Sequence, residues 1–207
     1  MLWTALSCAL AARGLAAELT VTVRDKAGKP VEGAVVSVAD GASTPAPAEA
    51  VMTQEGLEFK PHVLAVQAGT RVRFVSHDKV QHEIYSFSKT KRFELPLAKG
   101  DEERPPVTFD QPGVVKLGCN IHDWMIGYVV VVGHSRFGLT GADGVAKLSV
   151  PEGKRRLMVW SETVKGSGET EGPEVAVTAA GAAAKVTIPS SGPFKPRSRA
   201  GSASLYK

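Results

Sequence analysis

The chain has 207 residues, with 25 basic and 21 acidic side chains, a formal net charge of +4, 43% hydrophobic and only 6% aromatic residues. The excess charge sits at the end, where Lys195, Arg197, Arg199 and Lys207 stand without an acid, so the body is near neutral and offers no nucleic-acid-binding face. No apolar run approaches the ~18 residues that a membrane-spanning helix needs, and the length suits one large or two small domains.

Met1 to Ala17 read as an export signal, which predicts a periplasmic or otherwise exported protein. Leu2 to Ala12 form a short apolar segment, and Gly14-Leu15-Ala16-Ala17 offer small residues for cleavage before Glu18. No Lys or Arg precedes the apolar segment and Arg13 follows it, a departure that a misassigned start would explain. A buried first helix, or lipid attachment at Cys8, are the rival readings. Leu19-Thr20-Val21-Thr22-Val23 and Val31-Glu32-Gly33-Ala34-Val35-Val36-Ser37-Val38 flank a turn rich in Gly and Pro, and their alternation predicts a hairpin or an adjacent strand pair. Two strands cannot form a stable unit alone. Their partners are sought downstream, in Phe137 to Trp160 and in Val175 to Ile188.

Between them lies a second set of strand signals. Phe59-Lys60-Pro61-His62-Val63-Leu64-Ala65-Val66 runs through Gly69 to Val72-Arg73-Phe74. Asp78-Lys79-Val80-Gln81-His82-Glu83-Ile84-Tyr85-Ser86-Phe87 follows. Ser88 to Pro106 is charged and mixed, with a short strand expected at Phe93-Glu94-Leu95 and loops elsewhere. Lys89, Lys91 and Arg92 read as solvated, with docking toward an acidic partner as the minor alternative. Phe109-Asp110-Gln111-Pro112-Gly113 makes a turn into Val114-Val115-Lys116-Leu117. Gly118-Cys119-Asn120-Ile121-His122-Asp123-Trp124-Met125 then leads into Gly127-Tyr128-Val129-Val130-Val131-Val132.

That last stretch carries the chemistry. It places a thiol, an imidazole and a thioether at C-x2-H-x2-M spacing on a loop between two strands. With one more imidazole, the set is that of a blue-copper electron-transfer site: thiolate favours Cu(I), imidazole accepts both oxidation states, and a long axial thioether tunes the potential. Once the leader is removed, Cys119 is the only cysteine. An unpaired thiol in an oxidising compartment calls for a reason such as metal ligation. A buried structural Cys is the bland reading, as a packed histidine is for His82 and a core side chain is for Met125.

The order F-x-P, V-x-x-G-x-x-V-x-F, H-x-I and C-x2-H-x2-M resembles the cupredoxin family, such as plastocyanin and amicyanin. The wording L-G-C-N-I-H-D-W-M-x-G-Y is closer still to bacterial proteins labelled methylamine utilisation proteins. Carried over residue by residue, the resemblance implies that His82, Cys119, His122 and Met125 hold one type 1 copper ion. It places His77 and Glu83 beside the site, where relatives more often have other residues, and implies that electrons leave through the imidazole edge of His122. His62 and His134 are expected to be unrelated to copper. The segments D-x-x-G-x-P-V-x-G-A-x-V and T-x-x-D-G-x-A resemble a carboxypeptidase regulatory-like, transthyretin-like β-sandwich.

The expected fold is all-β: a cupredoxin Greek-key β-sandwich (residues 50–133) inserted in, or flanked by, a second small β-sandwich. The second sandwich is read as split between residues 18–40 and 134–189. Residues 1–17 are the leader and 190–207 a disordered basic tail. Three consecutive pieces joined by a linker at Gly41 to Ala48 are the rival arrangement. The functional expectation is a monomeric electron-transfer protein passing single electrons between unidentified redox protein partners, with no nucleic acid and no membrane span. A cell-envelope binding module, or copper storage and delivery, are the alternatives. No Ser-His-Asp set, two-carboxylate set or H-x-x-x-H zinc motif suggests an enzyme, and thioether is a poor zinc ligand.

Overall fold

The computed structural model describes residues 16–39, 48–98, 104–164 and 168–189. Residues 1–15 of the expected leader, most of the Gly41 to Ala48 stretch and the basic tail lie outside the described residues. Sixteen β-strands and no helix occur among the described residues, so the expected all-β fold class is the one observed, and no helix there is long and apolar enough to cross a membrane.

The first strands are β1 (Ala16–Asp25) and β2 (Val35–Ala39). Next come β3 (Glu49–Gln54), β4 (Phe59–Lys60), β5 (Val63–Gln67), β6 (Thr70–Ser76), β7 (His82–Phe87), β8 (Arg92–Leu97), β9 (Val107–Phe109), β10 (Gly113–Cys119) and β11 (Ile126–Val132). The last are β12 (Phe137–Leu139), β13 (Val145–Pro151), β14 (Gly153–Trp160), β15 (Thr170–Val177) and β16 (Ala182–Ile188). Strands β3 to β11 form two sheets of their own, in the orders β5-β11-β10-β7-β8 and β4-β3-β6-β9. The flanking strands form two more, β13-β1-β16 and β12-β2-β14-β15.

Alternation explains each sandwich. Leu19, Val21 and Val23 of β1 meet Val36, Val38, Leu157 and Val159 in one core. Met52, Phe74, Ile84, Val115, Leu117, Val129 and Val131 build the other. Each such side chain, fully buried, contributes about 1.5–3 kcal/mol relative to exposure.

The expected hairpin of β1 and β2 is not formed. The two strands lie in different sheets, and the connection between them folds back on β1, with Val31 N–H donating to Val23 O at 3.1 Å. β1 is amphipathic and β2 is buried on both faces, and Leu19, Val21 and Val23 of the first enter the same core as Val36 and Val38 of the second. Facing sheets satisfy that pattern as well as a shared ladder would.

Strand β11 explains its run of four valines. Val129 and Val131 point into one core, while Val130 and Val132 join Val35, Val63, Val114 and Trp160 in a third cluster. The strand is therefore buried on both faces, the condition that removes polar alternation from a strand. Tyr128 and Trp160 continue this contact, their ring centroids 5.3 Å apart.

Candidate metal centre

The β10–β11 ladder runs antiparallel to the pair Gly118 and Ile126, so Cys119 closes β10 and the chain must turn back at once. Two glycines flank the turn because aromatic rings lie over them. A Cβ at Gly118 would meet the Tyr85 ring at 2.5 Å, and one at Gly127 would meet Cβ of Phe59 at 2.8 Å. Asn120 N–H donates to Glu83 O at 3.0 Å, and Met125 N–H donates to His122 O at 3.0 Å. These bonds tie the loop to β7 and tighten it internally.

Strand β7 brings the distant imidazole. Ile84 pairs with Cys119 across the sheet, and His82, two residues earlier, shares the inward face of Ile84. His82 is 0% exposed and Cys119 3%. Cys119 Sγ lies 3.8 Å from His82 Nδ1 and 3.7 Å from His122 Nδ1. All three donor atoms fall within 4.8 Å of one another. The two imidazoles sit 4.9 Å apart, centroid to centroid.

The donor set can be tested against a metal. Bonds of about 2.0 Å to nitrogen and about 2.3 Å to sulfur, 120° apart, place nitrogen about 3.7 Å from sulfur. The observed spacings match that value. Met125, 2% exposed, packs in the same core as Cys119.

Electrostatics favour a cation there. Burial alone raises the Cys119 thiol, but His82 and the backbone N–H groups of Glu83, Ile121 and His122 hold it below its ordinary value. Burial alone lowers His82, yet the contacts with Cys119 and then Asp78 lift its pKa. A thiolate that favours positive charge on the facing imidazole also favours a cation between the two groups.

Sequence reasoning missed Asp78. Its Oδ2 lies 3.0 Å from His82 Nε2, while its Oδ1 accepts from Gly56 N–H at 2.7 Å and its Oδ2 from Leu57 N–H at 3.0 Å. Burial opposes ionisation, but the two backbone bonds and His82 hold this carboxyl below its usual value. The available signal was a carboxylate four residues before a candidate ligand, since metal-bound histidines commonly donate their second N–H to one. Neither His77 nor Glu83 belongs to the three-residue cluster; Glu83 acts through its backbone oxygen. His62 lies part-exposed in the bend between β4 and β5 and pairs with Glu162 at 2.7 Å. His134 lies beyond the end of β11.

His122 is partly exposed, with the Trp124 ring 5.3 Å away. Ile121 and Trp124 are also half-exposed, so the loop presents apolar surface around one imidazole edge.

No protein-family model and no curated protein matches the chain. Among solved structures, a purple cupredoxin from Nitrosopumilus maritimus is similar at 25% identity, over 40% of this chain and 99% of that one, with a TM-score of 0.36. A reduced tryptophan-to-tyrosine variant of amicyanin is 19% identical, over 47% of this chain and 98% of its own, at a TM-score of 0.37. Amicyanin from Paracoccus versutus is 19% identical, over 47% and 97%, at 0.35.

Proposed function

We propose that this chain is an exported, monomeric electron-transfer protein with one type 1 copper ion, held by His82, Cys119 and His122 with Met125 as the weak axial ligand. The observation that carries the reading is the placement of Sγ 3.8 and 3.7 Å from two Nδ1 atoms, the sulfur–nitrogen spacing that a shared metal ion would require. Copper, when bound, supplies a one-electron couple between Cu(I) and Cu(II).

The chain's own residues do the rest. Buried His82 and Cys119 stand at strand ends, and strands hold geometry better than free loops. Backbone N–H groups directed at Cys119 stabilise the thiolate without reorganising. His122 carries the electron to the surface, because its imidazole is the partly exposed member of the set. Trp124 and Ile121 form the apolar rim on which an unidentified redox partner docks, over the small contact usual for such encounters.

Residues 50–133 are the copper unit in this proposal, and residues 18–40 with 134–189 form a split second sandwich. No substrate chemistry is assigned, since four protein ligands leave no open position.

The test is a visible spectrum of protein beginning at Glu18, titrated with Cu(II) beside Cys119→Ser. An intense thiolate-to-copper band, saturating at one copper, absent in the variant and reversibly bleached by a reductant, is expected. A colourless or weakly coloured protein refutes the reading and favours a cell-envelope binding module.

A further inference from the structure

Gly56 and Leu57 occupy the two-residue turn between β3 and β4, at φ 67° and 62°. Glu55 N–H closes the turn onto Glu58 O at 3.1 Å. Positive φ at both central positions makes this a type I′ turn, and Leu57 is the only non-glycine residue with positive φ among the described residues. A leucine there is strained, because its Cβ crowds the backbone in the left-handed region. Both N–H groups of this turn point at one carboxylate, that of Asp78. The same carboxylate meets Nε2 of His82. Asp78 thus links a strained turn to the fully buried imidazole, and its own side chain is only 13% exposed.

We infer that Asp78 is a positioning residue for the metal centre, fixing the His82 ring and biasing the site toward the more highly charged Cu(II) state. The inference rests on the proposed copper site. An Nε2–H···Oδ2 bond leaves Nδ1 without a proton, and Nδ1 is the atom that faces Cys119 Sγ. A carboxylate behind a ligating imidazole raises the basicity of the ligand. Its negative charge is poorly screened in a buried position, so it favours the dication over the monocation. A reduction potential lower than the four ligands alone would set is the consequence.

The geometry separates this role from turn clamping. In Asp78→Asn, the amide oxygen placed at the Oδ2 position still accepts from Leu57 and His82; the charge and the bond from Gly56 are lost. Gly56→Ala strains the turn while keeping both the Asp78 charge and the N–H that donates to it: a Cβ there has nothing within 4 Å, yet an L side chain is disfavoured at that φ. The experiment measures the potential of copper-loaded full-length protein by spectroelectrochemistry, together with the Cu(II) and Cu(I) dissociation constants by competition with chelators.

In Asp78→Asn, Cu(II) affinity is expected to fall about tenfold relative to Cu(I), within the 10–100-fold range of such partners. That factor is a rise of about 59 mV for one electron, with the charge-transfer band retained. Gly56→Ala is expected to lower the melting temperature and leave the potential unchanged. A blue wild type with the same potential in Asp78→Asn, or an equal rise in Gly56→Ala, overturns the inference and spares the copper reading. A wild type with no charge-transfer band overturns both.

Discussion

Gly127→Ala tests the packing that anchors the exit of the ligand loop. The added Cβ would lie 2.8 Å from Cβ, 2.9 Å from Cγ and 3.1 Å from Cδ2 of Phe59. Carbon pairs settle at about 3.5–4.0 Å, so β11 and β4 must separate by the better part of an ångström. Phe59 cannot swing aside, since its Cβ is fixed to the backbone and the residue is 2% exposed. Overpacking of this kind costs about 1–3 kcal/mol, offset by about 0.5–1 kcal/mol from replacing a strand glycine. A net loss of about 1–2 kcal/mol lowers the melting temperature by about 2–8 °C in a chain of this size.

Gly118→Ala is the internal comparison. Its new Cβ meets Tyr85 even more closely, at 2.5 Å, but at Cζ, the far end of a half-exposed ring. Tyr85 can rotate outward at little cost, so Gly118→Ala is expected to be the milder change. Differential scanning calorimetry of the apo proteins ranks the two. A Gly127→Ala protein as stable as wild type, or one less affected than Gly118→Ala, refutes the reasoning.

Other expectations are as direct. Thr140 is 4% exposed; its Oγ1 donates to Val31 O at 2.6 Å and accepts from Ala34 N–H at 2.9 Å. Thr140→Val strands both buried groups and should cost about 2–4 kcal/mol in chemical denaturation, with no effect on copper colour. Trp160→Ala empties the centre of the third cluster and should cost about 3–5 kcal/mol, read by the same denaturation. Burial, and then the charge of Glu162, hold the Tyr128 hydroxyl above its ordinary value. The folded protein therefore keeps this proton to higher pH than the unfolded chain does. From about pH 10 up to the raised value the unfolded chain binds fewer protons, so stability falls as pH rises. Tyr128→Phe should remove that part of the alkaline decline, and an identical pH profile would contradict the assignment.

The Cys119, His122 and Met125 set was legible because its spacing is local: one short loop between two apolar runs. His82 was legible by its place after a strand and before that loop, and the structure brings it to the thiol. Asp78 was not, because its meaning depends on a turn 21 and 22 residues earlier in the chain. The pairing of His62 with Glu162 was hidden for the same reason, the two being 100 residues apart. The separation of β1 from β2 was hidden because alternation reports which face of a strand is buried, not which sheet it joins. The valine run of β11 did announce a strand, but not that its second face is covered by β2 and β14.

That doubly covered strand bears on modularity. A contiguous run of strands with sheets of its own, like β3 to β11, is usually pictured as a cassette that could be lifted out and used elsewhere. Here Val63, Val114, Val130 and Val132 share one buried cluster with Val35 and Trp160 of the flanking strands. Uncovering four such side chains forfeits about 6–12 kcal/mol, comparable with the whole stability of a typical domain. Excising residues 48–133 would leave a sticky, marginal fragment. Strands β3 to β11 and the flanking strands support each other through this shared face, and neither set can be replaced without repairing it.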